Sequence, residues 1–146
     1  MGLQAFNCGA NVIAFTKNNK TYAMTIAWAM MIDYSKVALL MGGQADSNKA
    51  IEVGDEVGIS SLAKGQEEIG NKIGSTHSSK INKLSLFDHE KDGGAILVKN
   101  AKVNMVGRVV KIEETEGDKL VFIKVDHYKQ DENKEFAYGY DPSLYK

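Results

Sequence analysis

The strongest constraint on the fold lies late in the chain, where apolar and polar residues alternate over two long segments. The segments are residues 102–112 and 119–128, and the residues between them, 113–118, are mostly charged. A period of two places alternate side chains on opposite faces of an extended strand. The pattern therefore predicts a long β-hairpin, with the acidic residues 113–116 at its tip.

Further segments with strand character precede this hairpin, at residues 11–16, 37–41 and 56–60. A second hairpin is expected near the start, because residues 17–20 contain two asparagines, which tolerate positive φ. Its second strand has a bulky face and a small face, and a small face lets a flat molecule or a backbone approach closely. The bulky residues are Tyr22, Met24, Ile26 and Trp28, and the small ones are Thr21, Ala23, Thr25 and Ala27. The apolar run 26–32 is predicted to be a buried strand or the continuation of this one.

Two short helices are predicted between the strands. Ser47 is placed as the N-cap of a helix through residue 53, with Gly54 as its stop. Ser61 is placed as the cap of a second helix over residues 62–73, ended by Gly74 and with an apolar stripe of Leu62, Ile69 and Ile73. A polar, hydroxyl-rich loop follows at 74–83, and the apolar segments 84–87 and 95–98 flank a charged link that contains Gly93 and Gly94.

Together these elements predict a mainly β fold, a closed or nearly closed antiparallel barrel with two short helices. The 146 residues are enough for one domain, with 43% hydrophobic and 25% charged residues as in ordinary globular proteins. We expect residues 1–146 to form that single domain, with a loosely ordered tail at 129–146 that Phe136 and the tyrosines after it could dock.

Composition narrows the class of function. A net charge of −1 disfavours electrostatic binding of nucleic acid. The single cysteine, Cys8, cannot form an intramolecular disulfide, and no signal peptide is recognisable, so a reducing, cytoplasmic location is expected. The longest apolar run, 26–32, is much shorter than the roughly 20 residues of a membrane span, so no membrane association is expected. Seventeen of the 18 basic residues are lysine, the exception being Arg108, so a bound phosphate would rely on lysine, hydroxyl and backbone N–H groups.

The segment Met24-Thr25-Ile26-Ala27-Trp28, followed by the strand at 37–41, resembles the M-T-x-A/S-W signature of the flavin reductase-like family, whose fold is the FMN-binding split barrel of flavoredoxin-like proteins. The loop 74–83 is similar to that family's G-S-x-S-G-R-x-x-D-K, and residues 117–123 to its late G-D-H-x-L hairpin. The chain departs from the pattern at Ser79 and Asn82, where the family has arginine and aspartate, and at Lys119, where it has histidine. The resemblance covers residues 8–128. It implies that the mainly β fold is an antiparallel split β-barrel of Greek-key type with two or more short helices.

The resemblance implies an FMN cofactor, preferred to FAD, near the interface of a homodimer. It implies that Lys83, with Lys80 nearby, supplies charge to the phosphate, while hydroxyl groups and helix starts supply hydrogen bonds and the small face at Thr25 and Ala27 approaches the ring. The implied cofactor-binding residues are Thr25, Ala27, Trp28, Ser47, Ser60, Ser61, Leu62, Ser75 and Lys83. No catalytic residue is assigned; His77 is a candidate on the substrate side, beside the alternative of an exposed loop histidine.

The activity so implied is an oxidoreductase that passes electrons from NAD(P)H or a protein redox partner through FMN to free flavin or another acceptor. One alternative is a non-catalytic FMN carrier for electron transfer. Another is a nucleic-acid-binding barrel, which the charge and the scarcity of aromatic residues disfavour. No metal site is predicted, because the three histidines lack ligand spacing.

Overall fold

The computed structural model describes residues 9–43, 45–76 and 82–137. Within these ranges the chain forms nine strands, two α-helices and one 3₁₀ turn at Lys83–Leu86. The strands are β1 Asn11–Lys17, β2 Lys20–Ile26, β3 Ala29–Asp33, β4 Lys36–Met41, β5 Glu56–Ser61, β6 His89–Asp92, β7 Ala95–Val98, β8 Val103–Thr115 and β9 Asp118–Gln130, and the helices are α1 Asp46–Ala50 and α2 Glu67–Gly74.

All of the strand pairs in the sheet are antiparallel, in the order β3-β4-β9-β8-β5-β1-β7-β6, with β2 on the other edge of β1. After β2 the chain passes to β3, and the Leu40 N–H donates to the Trp28 carbonyl at 3.0 Å, which extends the β3–β4 pairing by one residue. No ladder joins β2 to the β3–β4 pair, so the barrel is split at this place. The predicted mainly β split barrel with short helices is confirmed.

The late hairpin is present and longer than predicted. Pairing runs from Val103 opposite Gln130 to Thr115 opposite Asp118. The turn itself contains only Glu116 and Gly117, with φ of 53° and 89°. Three of the four acidic-tip residues therefore lie in β8, because a two-residue turn with positive φ matches the twist of the strands.

The hairpin of β1 and β2 also forms as predicted, with φ of 52° and 63° at Asn18 and Asn19. The bulky face of β2 points into the barrel, where Tyr22 stacks on Phe15 with ring centroids 5.3 Å apart. The small face points the other way, to a second core that includes Ala23 and is covered by α2. The sequence predicted that either a flat molecule or a backbone approaches the small face, and the structure shows the backbone of α2 there.

The first helix is shorter than predicted, and Ser47 does not cap it. Helix α1 has Ala45 at its N-cap position, and Ser47 lies buried inside the helix. The helix ends at Ala50, whose carbonyl accepts a hydrogen bond from the Lys17 ammonium at 2.7 Å. Gly54, with φ of 97°, lies in the turn before β5 and does not stop the helix.

The second helix starts five residues later than predicted, and Ser61 does not cap it. Ser61 is the last residue of β5, and Leu62 N–H donates to the Ala10 carbonyl at 2.9 Å, which keeps the chain extended beyond the strand. Gly65 then has φ of 100°, and α2 begins only after Gln66. The predicted stripe is still apolar and buried, because Leu62 packs in the second core from outside the helix.

The apolar run 26–32 is not a buried strand, which corrects that expectation. Ile26 is buried, but every residue of β3 is exposed, including Met30 and Met31 at 63% each. Strand β3 lies at the edge of the sheet and pairs only with β4. Among the residues that the structure describes, β3 is therefore an exposed apolar surface.

The described part of the predicted tail, residues 129–137, packs on the barrel. Strand β9 continues to Gln130, Lys64 N–H donates to the Glu135 carbonyl, and Ala137 N–H donates to the Leu62 carbonyl, both at 2.9 Å. Residues 138–146 lie outside the described residues. Among the helices that the structure describes, none has the length and apolar character needed to cross a bilayer.

Candidate functional site

Four parts of the fold meet around the ammonium of Lys83, and we call this group the Lys83 cluster: Ala23 on β2, Ile73 on α2, Asp46 on α1 and Lys83 itself. Lys83 is 5% exposed, and its Nζ donates to the Ala23 carbonyl at 2.7 Å and to the Ile73 carbonyl at 3.0 Å. The elements that the resemblance implies for flavin binding are thus neighbours in space.

Burial lowers the pKa of Lys83, and the negative charge of Asp46 acts in the opposite direction. An ammonium removed from water is costly unless its donors are satisfied. Here two carbonyl oxygens accept from two of the three donors, and Ile73 belongs to the last turn of α2, where the helix dipole favours a cation. Lys83 therefore holds the end of α2 against β2.

A second contact joins the same two elements. Thr25 Oγ1 donates to the Gly70 carbonyl of α2 at 2.6 Å. A Cβ placed on Gly70 would lie 3.5 Å from Thr25 Cγ2 and 3.4 Å from Leu62 Cδ1, so the helix backbone lies directly on the small face of β2. The Thr25 hydroxyl thereby serves to fasten the helix.

The serines proposed as flavin ligands have different surroundings. Ser60 is 1% exposed, and its Oγ accepts the Val98 N–H at 2.9 Å. Ser75 is exposed at the end of α2 and donates to the Lys72 carbonyl at 3.3 Å. Ser61 is half-buried at the end of β5 and lines a cavity. Ser47 and Leu62 are buried, so among these five residues Ser61 is the one that lines the cavity.

The link between β2 and β3 consists of Ala27 and Trp28. Ala27 is half-buried, and Trp28, the single tryptophan of the chain, is 54% exposed. On one side of this link lie the Thr25–Gly70 contact and the Lys83 cluster. On the other side Ala29 borders a cavity. Ala27 and Trp28 therefore connect the two halves of the candidate site.

That cavity, the barrel-mouth cavity, has a volume of about 540 Å³ and lies at the end of the barrel where β1 and β8 begin. This volume is typical of pockets for small molecules. Its walls are mostly apolar, and polar groups such as Lys36, Ser61 and Gln130 border it. The apolar and aromatic lining comes from Met30, Met31, Tyr34, Val37, Leu39, Ile59, Val103, Met105, Val125, Tyr128 and Phe136.

A flavin needs an apolar surface for its ring and donors for its phosphate. The exposed Trp28 and the apolar cavity next to it fit the flat ring. For the phosphate half, the Lys83 ammonium uses two of its three donors on backbone carbonyls, the Thr25 hydroxyl donates to a carbonyl, and the Ser60 oxygen accepts a backbone N–H and keeps its own O–H as a donor. The ring half of the group fits this site, and Lys83 as a ligand of the phosphate stays a prediction.

Several residues of the site were not found from sequence, foremost the exposed methionines of β3 and Phe136. The apolar run 26–32 is recognisable in the sequence, but the sequence does not show that most of its side chains are exposed. His77 and Lys80, proposed from the polar loop, lie outside the described residues. Within the described ranges, no group of three or more His, Cys, Asp or Glu side chains is arranged to hold a metal ion.

The chain is similar in structure to several flavoproteins of low sequence identity. With the NADH:FAD oxidoreductase SgcE6 of Streptomyces globisporus it shares 16% identity at a TM-score of 0.82, covering 90% of this chain and 80% of that one. With flavoredoxin from Methanosarcina acetivorans the values are 12% and 0.80, over 95% and 88% of the chains. With the FMN-binding protein of Thermus thermophilus that holds p-hydroxybenzaldehyde they are 12% and 0.78, over 93% and 84%.

These structures show the fold alone, and no curated protein sequence matches the chain. The family model described as flavin reductase like domain, however, matches residues 4–146, nearly the whole sequence. The match includes the signature at Met24–Trp28, the Lys83 cluster and both hairpins. The chain therefore belongs to the flavin reductase-like domain family.

Proposed function

We propose that the protein is an FMN-binding oxidoreductase that passes electrons from NAD(P)H or a protein donor through FMN to free flavin or another acceptor. The observation that carries this proposal is the flavin reductase-like domain match over residues 4–146. The apolar cavity of about 540 Å³, which is bordered by Ala29, and the exposed Trp28 that precedes Ala29 in the chain support it, because a flavin ring needs an apolar surface.

When bound, the flavin itself supplies hydride and electron transfer. The chain's own residues then have to bind and orient it. We place the ring against the link of Ala27 and Trp28, with α2 held behind β2 by Thr25. FMN is preferred to FAD on the resemblance to flavoredoxin-like proteins; the structural neighbours include proteins described with either flavin.

Trp28 offers a direct test, because it is the single tryptophan of the chain. Adding FMN to flavin-free protein is expected to quench Trp28 emission by more than about half, since the ring lies within contact distance of the indole. The measurement is a fluorescence titration of the protein with FMN that contains no lumichrome. The same titration of free tryptophan corrects for the light that FMN itself absorbs. If FMN causes no saturable quenching of Trp28 emission and leaves the melting temperature of the protein unchanged, flavin binding at this place is contradicted.

An anaerobic absorbance experiment separates the two redox functions. The oxidoreductase is expected to lose its flavin absorbance on addition of NADH or NADPH. If both fail while dithionite bleaches the flavin, the alternative of a non-catalytic FMN carrier is supported. Reduction by NAD(P)H without reoxidation by free flavin would instead indicate a different acceptor.

We also propose that the protein is a homodimer with the flavin near the subunit interface. Strand β3 supports this, because three large apolar side chains of this edge strand, Met30, Met31 and Ile32, are exposed, as is Trp28 just before it. Such edges are normally covered or charged in a monomer. A second copy placed on β3 would cover this surface and border the barrel-mouth cavity.

The oligomeric state tests this directly. Met31→Lys is expected to shift the protein from dimer to monomer on a sizing column, because it places a charge in the centre of the proposed interface. The matched control is Val110→Lys, since Val110 is 46% exposed on β8, away from β3. A wild-type protein that elutes as a monomer with FMN bound would overturn the shared-interface proposal.

A further inference from the structure

We propose that two copies of this chain join through their β3 strands, which pair antiparallel about a twofold axis at Met30 and continue the sheet from one subunit into the other. The inference rests on the homodimer in the proposed function, and it adds which strand forms the interface and in which register. Its starting point is that β3 pairs on one side only, with β4, among the strands that the structure describes.

The hydrogen bonds of β3 show which of its backbone groups face outward. The Leu40 N–H donates to the Trp28 carbonyl, so the backbone groups of Trp28 point to β4. Because the hydrogen-bonding side of a strand alternates from one residue to the next, the groups of Met30 also point to β4, and those of Ala29 and Met31 point away from it. The outer edge of β3 therefore offers the N–H and C=O groups of these two residues to a further strand.

The two ends of the strand order differ in a way that favours a partner at β3. Three of the four residues of β6, at the other end, are charged, and charges of this kind discourage pairing with another chain. Strand β3 has a single charged residue, Asp33, after four apolar ones, and all five are exposed. An unpaired apolar edge is the kind that natural monomers avoid. Strand β3 is therefore suited to pairing with another strand.

A second copy of β3 is complementary to the first. With Met30 opposite Met30 of the partner subunit, Ala29 lies opposite the partner's Met31 on each side of the axis, so a small side chain faces a large one. Both residues of such a pair have outward backbone groups, and the pair exchanges both of its N–H···O bonds. The next position brings Trp28 near the partner's Ile32, an aromatic ring against a β-branched side chain.

The exposed apolar area around β3 is large enough for a dimer. Six large side chains on β3, next to it or on the rim of the barrel-mouth cavity have exposed fractions between 42% and 98%: Trp28, Met30, Met31, Tyr34, Tyr128 and Phe136. At about 200 Å² for a large side chain, they present on the order of 800 Å² per subunit, which is about what each partner buries in a stable interface. A single peptide strand on β3 would leave much of this area exposed, whereas a second folded copy brings an equal area to meet it.

Cysteine crosslinking tests the register, because Met30 and Met31 are equally exposed, at 63% each. In the proposed pairing the two Met30 Cα atoms are about 4.5 Å apart, within the range of a disulfide. The two Met31 Cα atoms are offset by two residues along the strands and lie more than about 7 Å apart, which is too far for a disulfide. With oxidised glutathione, Met30→Cys is therefore expected to form a disulfide-linked dimer at least about tenfold faster than Met31→Cys.

Both variants carry Cys8→Ser, so that the introduced thiol is the single one in the chain. Crosslinking of Met31→Cys as fast as Met30→Cys would overturn the inference. If the wild type is a dimer on a sizing column but Met30→Cys is not crosslinked, the homodimer stands and the β3 interface is overturned. A monomeric wild type overturns both. Flavin binding is read separately from the absorbance spectrum with FMN, so the proposed redox function stands or fails independently of these results.

A second experiment tests the backbone bonds. Ala29→Pro removes an N–H that points away from β4, and proline is tolerated at such an edge position, so the subunit keeps its own ladder. We expect the dimer dissociation constant to rise at least about tenfold, because the lost N–H occurs twice in the interface. The matched control is Lys91→Pro on β6, since the Lys99 N–H donates to the Asp88 carbonyl and the alternation from Asp88 directs the Lys91 N–H away from β7. An unchanged dissociation constant for a folded Ala29→Pro would overturn the inference.

Discussion

Gly58→Ala is expected to lower the free energy of unfolding by at least about 3 kcal/mol, the upper range for overpacking a core. Strand β7 crosses directly over β5 at this residue. A Cβ at Gly58 would overlap the Ile96 carbonyl oxygen and lie 2.8 Å from its carbon and 2.9 Å from the Ile96 nitrogen. These atoms are backbone, so no side-chain rotation relieves the overlap and the two strands must separate.

The separation would also remove the hydrogen bond from Val98 N–H to Ser60 Oγ, which joins the same two strands. Urea unfolding followed by circular dichroism gives the loss of stability. The matched control is Gly42→Ala, because a Cβ at Gly42 meets no atom within 4 Å and the residue has no positive φ. Equal stability of the two variants would show that β7 does not cross β5 as closely as described.

Phe15→Ala is expected to lower the free energy of unfolding by about 3–5 kcal/mol. Phe15 is fully buried in the barrel interior, and its ring stacks on Tyr22 at an interplanar angle of 22°. Truncation removes the buried ring and leaves a cavity that two opposed barrel walls cannot close. The aromatic pair itself contributes about 0.5–1.5 kcal/mol of this loss.

Denaturant unfolding of Phe15→Ala, with Tyr22→Phe as the control, tests this prediction. Tyr22→Phe keeps both rings and removes only a hydroxyl from a half-buried residue, so its change is expected to stay below about 1 kcal/mol. A loss for Phe15→Ala no larger than that of the control would mean that the barrel interior collapses around the missing ring.

Most of the strands and turns of this fold could be predicted because their signals are local, but β6 lies in the segment predicted as a charged link and was not predicted. Alternation in the late hairpin, short apolar runs, two asparagines at positions 18 and 19, and a glycine at 117 each favour a backbone geometry without reference to distant residues. The helix boundaries could not be predicted in the same way. Ser61 has the side chain of a good cap, but the hydrogen bond from Leu62 N–H to Ala10 keeps that segment extended.

The candidate site was predicted in part. The signature at Met24–Trp28 pointed to a segment that does lie between the Lys83 cluster and the barrel-mouth cavity. The burial of the Lys83 side chain was not visible, because a lysine in a polar loop has the same sequence whether its ammonium faces solvent or two buried carbonyls. The exposure of the run 26–32 was not visible either, because an apolar run has the same sequence whether it lies in the core or, as here, at the edge of the sheet.

By itself, the sequence determined the strand pattern, the turns and the family, because period-two alternation, positive-φ residues and an ordered set of motifs are properties of neighbouring residues. Only the tertiary structure decided which polar groups are already bonded, which apolar run is exposed and where the cavity lies. These depend on residues brought together from distant parts of the chain, as when Lys83 reaches Ala23 across 60 positions.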